Sequence, residues 1–121
     1  MKYTISVSEP WFTLIKLGIK TCEGRLNKGL FEKLKKNDII IFTNNNFGFY
    51  RKCSVKITNT TSYKTFKKYL KKEKLKKCLP GITKISNGEK VYHKYYTKEQ
   101  ESKFGIVAIK FELQLTNNKT S

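Results

Sequence analysis

The segment Ile106-Val107-Ala108-Ile109-Lys110-Phe111-Glu112-Leu113 narrows the possible folds more than any other part of the chain. It begins as an almost unbroken apolar run, which reads as a central strand of a sheet. Other strand patterns accompany it. Residues 2–8 alternate Tyr3, Ile5 and Val7 with polar side chains, the mark of a half-buried strand. Asp38-Ile39-Ile40-Ile41-Phe42 is a buried strand introduced by a Lys36-Asn37-Asp38 turn. Asn44-Asn45-Asn46-Phe47-Gly48 is turn chemistry that joins it to a strand over residues 49–58, making a hairpin. Residues 19–26 read as a further strand entered through a tight turn.

Helical patterns between these strands are short. Ser8-Glu9-Pro10 reads as a helix start, with a capping hydroxyl, an acid in the first turn and a proline where no amide donor is needed. Trp11, Leu14 and Ile15 then fall at i, i+3 and i+4, and Gly18 stands where a left-handed closing residue belongs. Leu30, Phe31 and Leu34 suggest a brief helical turn. From Ser62 to Lys77 the stripe Tyr63, Phe66, Leu70 predicts one helix, stopped by Cys78-Leu79-Pro80-Gly81. Residues 91–96 and 97–103 add helical turns before Gly105. The expectation is an α+β fold, one domain over residues 1–115 with a polar tail at 116–121.

Lys and Arg number 26 against 9 Asp and Glu, a net charge of +17. Such a field recruits polyanions, nucleic acid first among them. Lys, Asn and Ile are all plentiful, as in AT-rich coding sequences, so the position of the charge matters more than its sum. It is densest over residues 62–77, where eight Lys accompany one acid, Glu73. Lys64, Lys67, Lys68, Lys71 and Lys72 fall on the faces left free by the apolar stripe, suited to contacting phosphates. The plainer reading is the solvated side of an amphipathic helix.

No apolar run approaches the ~18–20 residues that cross a bilayer. The first residues lack the pattern of a signal peptide, so an intracellular protein is expected. Cys22, Cys53 and Cys78 have no paired spacing and fit reduced thiols. With His93 they lack the close ligand spacing of a zinc knuckle, and no metal or other cofactor is expected.

Most of the chemistry lies in Gly18-Ile19-Lys20-Thr21-Cys22-Glu23-Gly24-Arg25-Leu26. Gly18 lets the chain leave a helix and enter a strand within a residue or two, setting Lys20 at the mouth of the sheet. On a strand Thr21, Glu23 and Arg25 share one face, with Glu23 and Arg25 about 7 Å apart. A compact ammonium, a carboxylate and a planar guanidinium fork would then line a polar pocket. The simpler alternative is an ion pair solvating the edge of the sheet. Trp11 either offers a ring face to a nucleobase or belongs to the core with Leu14 and Ile15.

Ser8-Glu9-Pro10-Trp11, the G-x-K-x-x-E-x-R pattern of Gly18, Lys20, Glu23 and Arg25, and the stretch from Gly29 through Asp38-Ile39-Ile40 resemble the ASCH domain, a branch of the PUA-like fold. Tyr95-Tyr96, Glu101 and Gly105-Ile106-Val107-Ala108-Ile109 look like that family's closing segment. The resemblance implies a small mixed β-barrel flanked by short helices. It also implies an RNA-linked role: binding of RNA, in preference to DNA, or of a modified nucleotide. Lys20, Glu23 and Arg25 would form the pocket, and Trp11 and Tyr96 its walls. Some relatives are ribonucleases, and others hydrolyse the amide of acetylated cytidine with a Lys and a Thr three residues later. Lys20 matches that Lys, but position 23 is Glu. The enzymatic alternatives are therefore a metal-independent ribonuclease using Lys20 and Glu23 as acid and base, or an amidohydrolase with Thr21 as nucleophile. A third reading is a protein-interaction module whose basic face docks an acidic partner. A monomer is the default, and no membrane partner is expected.

Overall fold

The computed structural model describes residues 1–115. The 116–121 tail lies outside them. Strand β1 (Lys2–Ser6) runs parallel to β3 (Ile39–Asn44), which pairs antiparallel with β4 (Arg51–Tyr63). β4 pairs antiparallel with β5 (Ile106–Leu113), and β5 with β2 (Cys22–Leu26). The order β1-β3-β4-β5-β2 makes β5 an interior strand and leaves β1 and β2 as the two edges. The sheet curls into a half-barrel, so the fold is α+β.

β5 is apolar in succession because it feeds two cores. Val107, Ile109 and Phe111 join Ile5, Val7, Phe12, Ile15, Ile40, Phe42, Val55 and Ile57 on one face. Ile106 and Ala108 join Cys22, Leu26, Phe66, Tyr69, Leu70, Cys78, Leu79 and Tyr92 on the other. Alternation along the strand therefore satisfies both sides at once.

β4 is longer than the expected 49–58 strand. A bulge between Ile57 and Asn59 shifts its register, and residues through Tyr63 continue to pair with β5. The polar Thr-rich continuation is at most half-buried on either face, which weakens its strand signal. The expected helix from Ser62 therefore starts later, as α3 (Phe66–Glu73), with Thr65 capping it through the Lys68 amide. Its buried stripe is Phe66, Tyr69, Leu70 and Glu73, with Tyr63 left on the strand. Lys74 at φ 84 breaks the helix before α4 (Leu75–Cys78). Helix α5 (Ile85–His93) begins earlier than the pattern predicts, and α6 (Lys98–Phe104) starts from a Thr97 cap.

Helix α1 (Trp11–Lys16) also differs in detail. Ser8 does not cap it through its hydroxyl; the Glu9 carboxylate does that work, accepting from the Thr13 amide at 2.9 Å and the Thr13 hydroxyl at 2.6 Å. A two-oxygen acid reaches both donors of Thr13. The fully buried residues are Phe12 and Ile15, while Trp11 is half-buried at the boundary of the two cores. The short helix α2 (Leu30–Lys33) completes the set.

Candidate functional site

Gly18, at φ 77, turns the chain out of α1 so that the Ile19 and Lys20 amides both donate to the Leu14 carbonyl. That turn carries Lys20 beneath the edge of β2, where it is 1% exposed. Its ammonium has three protons to donate and three acceptors in reach: the Cys22 carbonyl at 2.6 Å, the Cys78 carbonyl, and Glu23 Oε1 at 3.1 Å. The Trp11 ring lies above it, 5.8 Å away. Lys20 is a buried post, not the open cation at the mouth of the sheet that the spacing suggests.

Glu23 links this post to the surface. Its second oxygen accepts from Arg25 Nε at 2.8 Å, and Arg25 Nη2 donates across to the Ser6 carbonyl at 3.1 Å. That last bond spans the gap between the edge strands β2 and β1. Burial pushes the Glu23 carboxyl up, but the charges of Lys20 and Arg25 outweigh it and hold the group below its ordinary range. Arg25 is held the other way: burial lowers it, and the Glu23 charge more than restores it. The three heads therefore converge, with Glu23 and Arg25 presented and Lys20 behind them.

Beside this pair the half-barrel seam opens into a cleft of about 270 Å³. Ser6, Val7 and Ser8 form one side, Glu23, Gly24 and Arg25 another, and Trp11, Tyr92, Tyr95 and Tyr96 supply aromatic surface. Gly24 is required here. A Cβ at this position would stand 2.5 Å from the Tyr69 ring, so only glycine lets that tyrosine pack against β2. Phe66 stacks on Tyr92 at 4.4 Å and on Tyr96 at 5.8 Å, which fixes the aromatic wall from behind. Tyr92 is anchored again by a 2.9 Å bond between its hydroxyl and that of Tyr69. His93 Nδ1 meets the Tyr96 carbonyl at 3.0 Å, and its Nε2 lies 3.5 Å from Glu101.

Thr21 is not part of this arrangement. It precedes the first paired residue of β2, its amide bonds to the Lys77 carbonyl, and it lines a second, smaller cavity with Cys22, Glu73 and Lys110. The alternation that would set it beside Glu23 begins one residue too late. Lys64, Lys67, Lys68, Lys71 and Lys72 are exposed, four of them on α3, which packs against α5 behind the aromatic wall. Cys53 packs on the first core, whereas the Cys22 and Cys78 thiols lie beside each other in the second. Among the described residues no group of His, Cys, Asp and Glu could hold a metal.

Sequence reasoning missed Tyr92 and Tyr95 as cleft residues and Tyr69 as the buried support. The available signal is Tyr92, Tyr95 and Tyr96, three tyrosines within five positions. It is hidden because the helix that carries the first of them starts in an unpromising polar stretch.

A mixed half-barrel whose unclosed seam holds a polar, aromatic-walled cleft is a PUA-like architecture. The family model described as ASCH domain matches residues 5–114, and the chain belongs to that family. Two solved structures are similar throughout. The crystal structure of hypothetical protein PH0355 is 38% identical, with a TM-score of 0.84, covering 94% of this chain and 100% of that one. The solution structure of protein PF0455 from Pyrococcus furiosus is 34% identical, with a TM-score of 0.74, covering 93% and 97% respectively. No curated protein matches the chain.

Proposed function

We propose that this ASCH domain binds single-stranded RNA, taking one unstacked nucleotide into the seam cleft. The observation that carries this reading is the fixed Glu23–Arg25 pair inside an aromatic-walled hollow of about 270 Å³, close to the lower size of small-ligand sites. Glu23 accepts from an exocyclic amino group, and Arg25 donates to a base carbonyl or a phosphate. Trp11 and Tyr96 offer ring faces to the base. RNA is favoured because bases are most easily splayed from its loops and ends. The exposed lysines of α3 give the backbone a sequence-independent hold.

The state of Lys20 supports binding over catalysis. An acid or base must exchange its proton with the substrate, and this ammonium has all three protons engaged below the cleft floor. The lysine at the position that the deacylase relatives use is therefore fully engaged here.

Trp11 is the chain's one tryptophan and lies in the cleft, so its fluorescence reads occupancy directly. Titration with the four nucleoside monophosphates in EDTA should give quenching. Cytidine, adenosine and guanosine nucleotides should bind more tightly than uridine nucleotides, by roughly five- to a hundredfold for the one amino group that uridine lacks. Equal affinity for all four would remove Glu23 as a base reader. RNA cleavage or release of acetate from acetylated cytidine, abolished by Lys20→Met in folded protein, would replace binding by catalysis.

A further inference from the structure

The β3–β4 turn exposes three aromatic rings: Phe47 is 62% exposed, Phe49 58% and Tyr50 59%. Exposed rings grouped on one turn cost solubility unless they meet something. This turn is held firmly. Buried Asn44 donates to the Val7 carbonyl at 2.9 Å and to Asn46 Oδ1 at 2.6 Å, while the Glu9 amide donates to Asn46 Oδ1 at 2.9 Å. Arg51 donates to Asn44 Oδ1 at 2.7 Å and to Glu9 at 2.6 Å. Its guanidinium lies 4.6 Å from the Phe47 ring centre, 5.7 Å from Phe49 and 4.8 Å from buried Phe12. The two outer rings are therefore propped on a fixed cation while their other sides face solvent.

The same bonds tie the turn to the cleft. Val7 and Ser8 line the cleft, and it is the Val7 carbonyl and the Glu9 amide that grip Asn44 and Asn46. Glu9, the acid in contact, is paired with Arg51, and Lys52, the next residue along β4, is exposed. A rigid aromatic tip beside an exposed lysine, one short segment from a base-sized hollow, matches the stacking platforms of single-strand binders.

We infer that Phe47, Phe49 and Tyr50 form a stacking platform for the bases flanking the nucleotide held in the cleft, so the ligand is a single strand several nucleotides long. This rests on the RNA-binding reading above and adds a second contact to it.

The test compares cytidine monophosphate with a short single-stranded RNA. Trp11 quenching reports the cleft, and fluorescence anisotropy of labelled RNA reports the whole interface. In a variant with Phe47→Ala, Phe49→Ala and Tyr50→Ala, affinity for the oligomer should fall by about tenfold or more for each base left unstacked. Mononucleotide quenching should stay as in the parent protein. Phe47→Leu with Phe49→Leu keeps apolar bulk over Arg51 but removes the ring faces, and it should lose oligomer affinity as well. Tyr50→Ala, whose ring is outside the Arg51 contacts, gives a smaller loss with the anchoring intact.

Unchanged oligomer affinity in the triple variant, with Trp11 still quenched by mononucleotide, overturns the platform and leaves the cleft reading standing. Full oligomer affinity in the leucine variant overturns stacking too. Sedimentation with phosphatidylserine-containing vesicles that the leucine variant preserves would assign the tip to membranes instead. If the parent protein binds neither nucleotide nor RNA, both readings fall together.

Discussion

Replacing Glu23 by Gln tests whether one carboxylate holds the seam together. Its two oxygens serve Lys20 at 3.1 Å and Arg25 at 2.8 Å. Glutamine keeps the volume and one acceptor, but it turns an amino group toward one cation and leaves two positive charges without a counter-charge. Removing one partner of a buried ion pair costs about 3–5 kcal/mol. Against a total of about 5–15 kcal/mol for an ordinary domain, that is a large fraction of stability. Urea denaturation at pH 7, followed by Trp11 fluorescence and far-UV circular dichroism, measures it.

The pH dependence supplies a second check with a fixed sign. The folded carboxyl is held below its ordinary value of 4.5, burial being outweighed by Lys20 and Arg25. As pH falls, the unfolded chain takes up this proton before the folded protein does, so acid favours unfolding. The contribution of Glu23 is therefore complete above pH 4.5 and fades as pH drops through the folded value. Parent and variant should differ by a constant amount at neutral pH and converge in acid. Glu9 is also held low, but it is present in both proteins and cancels. A variant within about 1 kcal/mol of the parent at pH 7, or a gap that persists undiminished in acid, refutes the reasoning.

Gly24→Ala should destabilise by about 1–3 kcal/mol, because the new methyl must displace the Tyr69 ring; a thermal melt unchanged from the parent would contradict that packing. Changing Lys67, Lys68, Lys71 and Lys72 together to Gln should flatten the salt dependence of RNA binding by about 0.7 in log–log slope for each phosphate no longer neutralised. An unaltered slope removes α3 from the interface. A thiol reagent should label Cys53 in the native protein, slowly because burial raises its thiol, and reach Cys22 and Cys78 only on unfolding. Rapid labelling of all three would contradict their burial.

Much of the sheet was legible because β1, β3 and β5 bury at least one regular face, and period-two alternation reports that directly. The later half of β4 was not, since a bulge resets its alternation and its Thr-rich residues bury little. In the site, the spacing of Glu23 and Arg25 foretold their meeting. It did not foretell the burial of Lys20, which depends on two carbonyls, one of them Cys78, distant in the chain. Trp11 stood in the apolar stripe of α1, yet Phe12 fills the core, because the helix is too short for periodicity alone to fix its rotation. The aromatic turn was legible only as a turn, since Asn and Gly dominate its local signal while exposure is a tertiary property.

The unclosed seam has one more implication. Each of its lips is a strand edge whose outward main-chain groups no neighbouring strand takes up, and a single guanidinium staples the lips together. A guest lodged there would meet backbone as well as side chains, and Ser6, Ser8 and Arg25 are cleft-lining positions outside both hydrophobic layers, so substitutions at these three can retune the opening without cutting into either core.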